Sequence, residues 1–256
     1  MHRKTDWSEN RKDDKGEMSF SGMVKEELSR QIGLARHCKM AELAAILCSC
    51  GKMECFSGDS KLKIQTENEA VARKCFTLLQ KTFNIETKIF VRENSHLKRV
   101  KVYTIEITDP EEIQVIFQAL RLVTNSIDQG TLVLSDMLVV QQNCCKRAFI
   151  RGAFLASGSI SDPEKGYHFE IVCSDAKRAE QLQTIIRSFS VDAKIVQRKK
   201  SHVVYVKEGA QIVEMLGIME ANIALMNLEN VRILKEMRGS VNRKVNCETA
   251  NINKTV

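Results

Sequence analysis

Two short stretches decide the fold: Leu43-Ala44-Ala45-Ile46-Leu47-Cys48-Ser49-Cys50-Gly51 and Ile150-Arg151-Gly152-Ala153-Phe154-Leu155-Ala156-Ser157-Gly158. Each is almost wholly apolar, ends at a glycine, and places Ala, Gly or Ser at helical spacing. Small side chains three or four positions apart share one helix face and let two backbones approach closely. Ala44, Ala45, Gly51, Gly152, Ala156 and Gly158 are therefore the expected packing residues of a central helix pair. The terminal glycines read as helix stops, the residue that enters a left-handed turn without a Cβ penalty.

Outward from these stretches the chain repeats itself. At an offset of 107, Cys38-Lys39 falls on Cys145-Lys146, Ala41 on Ala148, Gly51 on Gly158 and Ile64 on Ile171. Ala72, Cys75, Leu78 and Leu79 fall on Ala179, Leu182, Ile185 and Ile186. At an offset of 106, Thr87-Lys88-Ile89 meets Ala193-Lys194-Ile195, and Ser95-His96 meets Ser201-His202. The expected organisation is a polar, disordered tail at 1–17, with Met18 as a candidate start. A short helix and the first repeat follow at 18–122, a connecting segment at 123–144, the second repeat at 145–222 and a basic helical linker at 223–256.

Each copy reads as helix, one or more strands, helix, two strands, helix. The motif helices run Lys39–Cys50 and Lys146–Ala156. In Lys61-Leu62-Lys63-Ile64-Gln65 the apolar residues alternate, the period of a half-buried strand. Ala179, Leu182, Ile185, Ile186 and Phe189 form one helical stripe behind Ser174, the expected N-cap. Strands are expected over Thr87–Arg92 with Val100–Ile107, and over Ala193–Arg198 with Val203–Lys207. Asp109-Pro110-Glu111-Glu112 opens a helix with proline and acids in its first turn. The expected fold is α+β, two pseudo-symmetric repeats with antiparallel strands packed on helices around the central pair.

Composition narrows the class. Apolar residues at 43% and charged residues at 28% suit a globular protein, and no apolar run is long enough to span a bilayer. The first seventeen residues carry charges throughout and lack the apolar core of a secretory signal. The nine cysteines show no Cys-x-x-Cys pair and no Cys/His pair at zinc-finger spacing, so they read as small buried residues in a reducing cytoplasm, with no metal and no cofactor expected.

The net charge of +7 permits an anionic partner. Lys88, Arg92, Lys98, Arg99 and Lys101 cluster in the first hairpin; Lys194, Arg198, Lys199, Lys200 and Lys207 cluster in the second. Lys61 and Lys63 share a strand face. Cations of this kind neutralise phosphates, so these twelve residues are the expected DNA contacts. The plain alternative is that hairpin tips are charged because they are solvated. His96 and His202 read as turn residues.

The glycine-ended helices resemble degenerate LAGLIDADG motifs of homing endonucleases. In that family the motif helices pack at the centre, each supplies an acid before its glycine to hold divalent metal, and the sheets straddle the DNA major groove. The matching positions here are Cys50 and Ser157, and no Asp or Glu lies in 44–51 or 150–158. Metal-assisted phosphodiester hydrolysis needs carboxylates for hard cations. The resemblance thus implies the scaffold and its DNA face without catalysis.

Further blocks extend the match: Ser19-Phe20-Ser21 with Val24-Lys25-Glu26-Glu27-Leu28, Cys145-Lys146-Arg147-Ala148-Phe149-Ile150-Arg151-Gly152, Gly158-Ser159-Ile160-Ser161-Asp162-Pro163, Gly166-Tyr167-His168-Phe169-Glu170, and Asn242-Arg243 with Asn246-Cys247-Glu248-Thr249-Ala250-Asn251. These resemble the WhiA family of bacterial regulators over about 18–256. The resemblance implies a catalytically dead LAGLIDADG-type domain joined to a C-terminal helix-turn-helix domain, which this chain stops short of. It also implies transcriptional control of sporulation in actinobacteria, and nucleoid-associated roles in cell division and chromosome segregation in Gram-positive relatives. The expected partner is double-stranded DNA in a cytoplasmic nucleoid, with other transcription or division proteins as a second class and no membrane; oligomeric state is left open. Two rivals stand beside this reading: a metal-dependent nuclease recruiting Glu42 or Asp162, and a protein-interaction module.

Overall fold

A computed structural model describes residues 18–56, 59–94, 100–125 and 130–255. The tail at 1–17 and the hairpin residues Ser95, His96, Lys98 and Arg99 lie outside the described residues. The chain opens with α1 (Phe20–Arg30), capped by the Ser19 hydroxyl, which accepts from the Gly22 amide. Then come α2 (Arg36–Cys50), β1 (Gly51–Phe56), β2 (Asp59–Thr66), α3 (Glu69–Phe83), β3 (Lys88–Asn94), β4 (Val100–Ile107) and α4 (Pro110–Leu120). A two-stranded ribbon, β5 (Leu122–Thr124) with β6 (Leu132–Leu134), and a 3-10 turn at Leu138–Val140 lead to the second half. That half holds α5 (Asn143–Ser157), β7 (Gly158–Ile160), β8 (Phe169–Cys173), α6 (Ala176–Arg187), β9 (Lys194–Arg198), β10 (Ser201–Val206) and α7 (Gly209–Met219), and is followed by α8 (Asn222–Thr255).

The duplication is a structural one. The first antiparallel sheet has strand order β1-β2-β4-β3 and the second β7-β8-β10-β9, the same order at matching places. The most extensive helix–helix contact joins α2 to α5 at the centre. Both motif helices are apolar nearly all round, so they must be buried on every side; α2 is buried continuously from Ala41 to Leu47 and α5 from Ala148 to Leu155. Leu43, Ile46, Leu47, Ile150, Phe154 and Leu155 are fully buried, each contributing about 1.5–3 kcal/mol of transfer free energy.

Gly152 explains the close approach of the pair. A Cβ there would sit 2.3 Å from the Glu42 carbonyl oxygen and 3.0 Å from the Ala45 Cβ. Ala44 and Ala45 are buried, whereas Ala156 is only half-buried. The terminal glycines stop both helices as expected, though not through a left-handed turn. Gly51 (φ −90°) and Gly158 (φ −85°) are extended, so neither forms a left-handed cap. Each instead starts a strand, and a Cβ would meet the Leu47 carbonyl oxygen at 2.6 Å or the Phe154 Cα at 2.7 Å.

Other departures have local causes. Asp175 rather than Ser174 caps α6, its carboxylate accepting from the Arg178 amide at 3.0 Å. After each motif helix, where the sequence leaves the number of strands open, there are two; the first of each pair, β1 or β7, follows its helix with no intervening loop to mark it. The hairpins also differ in length: Arg92 pairs with Val102 but Arg198 pairs with Ser201. In register, therefore, His202 occupies the place of Tyr103, pairing with Cys173 as Tyr103 pairs with Thr66. His96, its match in sequence, lies outside the described residues.

Candidate nucleic-acid interface

The C-terminal ends of α2 and α5 hold the two positions where the motif would carry acids. Cys50 is half-buried, and burial pushes its thiol up to about 11, with the Lys25 ammonium opposing. Lys25 itself lies 5.9 Å from the Phe154 ring centroid, and burial lowers its pKa. A neutral thiol beside an ammonium disfavours a divalent cation. Ser157 turns its hydroxyl back to the Ala153 carbonyl at 3.4 Å, as Ser49 does to Ala45 at 3.3 Å. A cavity of about 280 Å³ lies here, lined by Ser49, Ser157, Cys48, Ala153, Cys173 and Arg178. Arg178 closes one wall by donating to the Cys48 carbonyl at 2.6 Å and to the Leu132 carbonyl.

Neither acid proposed as a substitute metal ligand is placed for it. Glu42 is fully buried in α2. It accepts from Lys74 Nζ at 2.9 Å and from Arg151 Nε and Nη2 at 3.0 and 3.2 Å. Arg151 Nη1 also reaches Glu220 at 2.7 Å, and Lys74 donates to the Leu28 carbonyl at 3.0 Å and to the Gln31 carbonyl. The cluster has two cations and two carboxylates and ties α2, α3 and α5 to the end of α7. Burial pushes the Lys74 ammonium below its ordinary value, and Glu42 opposes that shift. Asp162 instead organises its own turn, accepting from the Glu164 amide at 3.0 Å.

The faces of the two sheets turned away from the helices follow from register, since opposed residues share a face. In the first sheet Lys52 opposes Lys63, Glu54 opposes Lys61, and Lys63 and Lys88 both oppose Glu106; Arg92 opposes Val102. Leu62 and Ile64 point into the core, as the alternation requires. Lys101 is a correction. It shares its face with buried Tyr103, lines a cavity with Glu26 and Arg73 on the helix side, and meets Glu93 at 3.8 Å. It does not join the open face.

That face is less basic than the lysines alone suggest. Lys61 Nζ lies 3.1 Å from Glu106 and 3.9 Å from Glu54, and Lys63 lies 3.2 Å from Glu54. Lys88 and Arg92 are exposed and carry no ion pair among the described residues. In the second sheet, Lys194 opposes Tyr205 and Tyr205 opposes Glu170. Glu170 takes the place of Lys63. Burial pushes its carboxyl up, but the His168 hydrogen bond, the Arg198 charge and the Ser159 hydroxyl together hold it below its ordinary value. Arg198 lies 3.3 Å from Glu170, His168 Nε2 lies 3.0 Å from it, and Lys194 lies 3.8 Å from Asp192. Lys207 sits 5.2 Å from the Tyr205 ring centroid. Lys199 and Lys200 form the exposed hairpin tip, with Lys199 at φ 56°, a left-handed position glycine or asparagine usually fills.

The sequence reading missed Lys52, Glu54, Glu106 and Glu170 on these faces, and Lys25 at the helix end. Lys52 and Glu54 alternate with Met53 and Cys55 in β1, a signal too short to register. Among the described residues no helix is long and apolar enough to cross a membrane.

Comparison with known proteins agrees with this geometry. Residues 36–123 match the family model described as the WhiA N-terminal LAGLIDADG-like domain, and 146–238 match the WhiA LAGLIDADG-like domain. The probable cell division protein WhiA of Lachnoclostridium phytofermentans is 56% identical over 240 residues, covering 93% of this chain and 77% of that protein. The same-named protein of Alkaliphilus oremlandii is 45% identical over 244 residues, covering 93% and 76%. Among solved structures, full-length DUF199/WhiA from Thermatoga maritima superposes with a TM-score of 0.67 at 20% identity, covering 92% of this chain and 73% of that one. The homing endonuclease I-WcaI, bound to its DNA recognition sequence, superposes with a TM-score of 0.51 at 10% identity, covering 77% and 86%, a likeness of fold alone. With both halves matched by its models and relatives this similar, the chain belongs to the WhiA family.

Proposed function

We propose that this chain is a non-catalytic, duplex-DNA-binding part of a cell-division regulator, acting in transcription and nucleoid organisation, with chromosome segregation and sporulation as further processes it serves. One observation carries the reading. Two equivalent sheets present exposed cations at matching strands, Lys88 and Arg92 on β3 and Lys194 and Arg198 on β9, while the motif positions hold Cys50 and Ser157. A duplicated surface with that charge suits a helical polyanion, and thiol and hydroxyl groups do not hold Mg²⁺. The proposed contacts are Lys52, Lys61, Lys63, Lys88, Arg92, Lys194, Arg198, Lys199, Lys200 and Lys207, together with Lys98 and Arg99, which lie outside the described residues.

The test is duplex binding titrated against salt, run beside plasmid incubation with Mg²⁺. Affinity that falls steadily as salt rises, with no nicking, is the expected result. Binding absent at low salt, or a plasmid nicked only when Mg²⁺ is present, defeats the proposal.

A protein partner is supported by a separate feature. Leu234, Met237, Val241 and Val245 are exposed along one side of α8, at spacings that repeat every turn or two. Polar substitution of Met237 and Val241 would weaken such a partner while leaving DNA affinity unchanged.

A further inference from the structure

We propose that His37, Cys38, Cys144 and Cys145 form a tetrahedral Cys3His zinc site that clamps the N-terminal ends of α2 and α5. The cluster lies at the opposite end of the motif helices from Cys50 and Ser157. Its four donor atoms all fall within 4.8 Å of one another. His37 Nδ1 is 3.1 Å from Cys145 Sγ, 3.4 Å from Cys38 Sγ and 4.0 Å from Cys144 Sγ. Zn–S bonds of about 2.3 Å and Zn–N bonds of about 2.0–2.1 Å give a tetrahedron with edges of roughly 3.5–3.8 Å, so small side-chain adjustments close the site.

The arrangement is a product of the duplication. His37-Cys38 and Cys144-Cys145 occupy equivalent positions in the two repeats, and packing α2 against α5 brings the two dipeptides face to face. The ligand pairs are far apart in sequence, which is why no zinc spacing is visible there. Both helices also begin without a side-chain cap, at Ala35 and Gln142.

The donor set selects the ion. Three sulfurs and an imidazole, with no carboxylate, exclude Mg²⁺ and Ca²⁺ and suit a soft or borderline cation. Four protein ligands leave no open position, so the site is structural rather than catalytic. Binding converts three thiols to thiolates and releases three protons, with His37 ligating as neutral imidazole through Nδ1 and keeping its proton on Nε2. The zinc–ligand unit then carries one negative charge, flanked in sequence by Arg36, Lys39, Lys146 and Arg147. The Gln142 side-chain oxygen lies 3.5 Å from Cys144 Sγ as a partner outside the ligand set. A cavity of about 200 Å³ lined by His37, Met40, Arg121, Leu138, Gln142 and Cys145 gives an ion a route in.

The experiment uses the full chain, purified under reductant without chelator. Zinc analysis is expected to give one ion per chain. Cobalt titration of the zinc-stripped protein is expected to give the intense visible bands of tetrahedral thiolate coordination, with proton release. The double variant Cys38→Ser with Cys145→Ser loses both signals, whereas Cys55→Ser, at an exposed thiol on β1, keeps both. If the double variant does not fold by circular dichroism, His37→Ala, at an exposed position, takes its place; it is expected to weaken cobalt binding at least tenfold and to change the visible bands. A fully reduced wild type that takes up neither zinc nor cobalt overturns the site. So does a cobalt spectrum unchanged in the folded variants, or a disulfide joining Cys38 to Cys144 or Cys145 that persists with reductant and zinc present.

Discussion

The two sheets share strand order, register and helix packing, yet their open faces have diverged. At one matched position the first sheet has Lys63, paired with Glu54, and the second has Glu170, holding Arg198 and His168. The first face carries two carboxylates, Glu54 and Glu106, among its cations. The second carries Glu170 together with an apolar patch, in which buried Val203 on the central strand is flanked by the exposed Val172 and Val196. The backbone of a duplicated unit is fixed by its shared core, whereas a solvated face tolerates change at little cost in stability. On the proposed DNA-binding reading the consequence is an asymmetric footprint: two faces that differ in charge and contour do not favour a palindrome as a symmetric dimer would.

The largest test removes what both sheets depend on. Glu42→Ala leaves Lys74 and Arg151 buried without their carboxylate and is expected to cost about 3–5 kcal/mol, read as a lower urea midpoint. A loss below about 1 kcal/mol would mean that apolar packing alone joins the halves. The next test sets one sheet against the other. Lys88→Glu with Arg92→Glu in the first, or Lys199→Glu with Lys200→Glu in the second, is expected to lower duplex affinity about tenfold or more at low salt. Each pair is also expected to flatten the plot of log affinity against log salt by about two units, near 0.9 per lost phosphate contact. An effect confined to one sheet would show that only one face meets DNA.

The smallest test uses acid. The Glu170 carboxyl is held below its ordinary value in the folded chain, so its contribution is fully present above the ordinary carboxylate range and is lost as pH falls through the folded value. Glu170→Gln is expected to cost about 0.5 kcal/mol near neutrality, given that its charged partner Arg198 is exposed and screened, and nothing once the wild-type group is protonated. Urea midpoints measured from neutral to acid pH check this; a difference that persists in acid assigns the effect to packing instead.

Much of the fold was legible because the signals were local or duplicated. The glycine-ended helices, the Lys61–Gln65 alternation and the capped start of α4 each specify an element within a few residues. The strands β1 and β7 were hidden, since nothing polar separates them from the preceding helix. The candidate interface was legible as charge but not as facing: Lys101 looks like its neighbours in sequence, and only register puts it behind the sheet. Neutralisation by Glu54, Glu106 and Glu170 was equally invisible, because those partners come from adjoining strands. The Glu42–Lys74–Arg151 cluster and the His37–Cys145 cluster were the least legible, as each needs residues from both repeats.

The buried Glu42–Arg151 pair also settles a problem of identity. A chain with two nearly interchangeable halves risks coupling a half to its own duplicate in another molecule. Where Glu42 sits in one repeat the other has Phe149, and where Arg151 sits the first has Ala44. Two first halves brought together would leave Glu42 with Lys74 but no guanidinium, and two second halves would leave Arg151 with Glu220 but no buried carboxylate. Because only unlike halves complete the network, a molecule that arose by copying keeps its copies from mistaking one another.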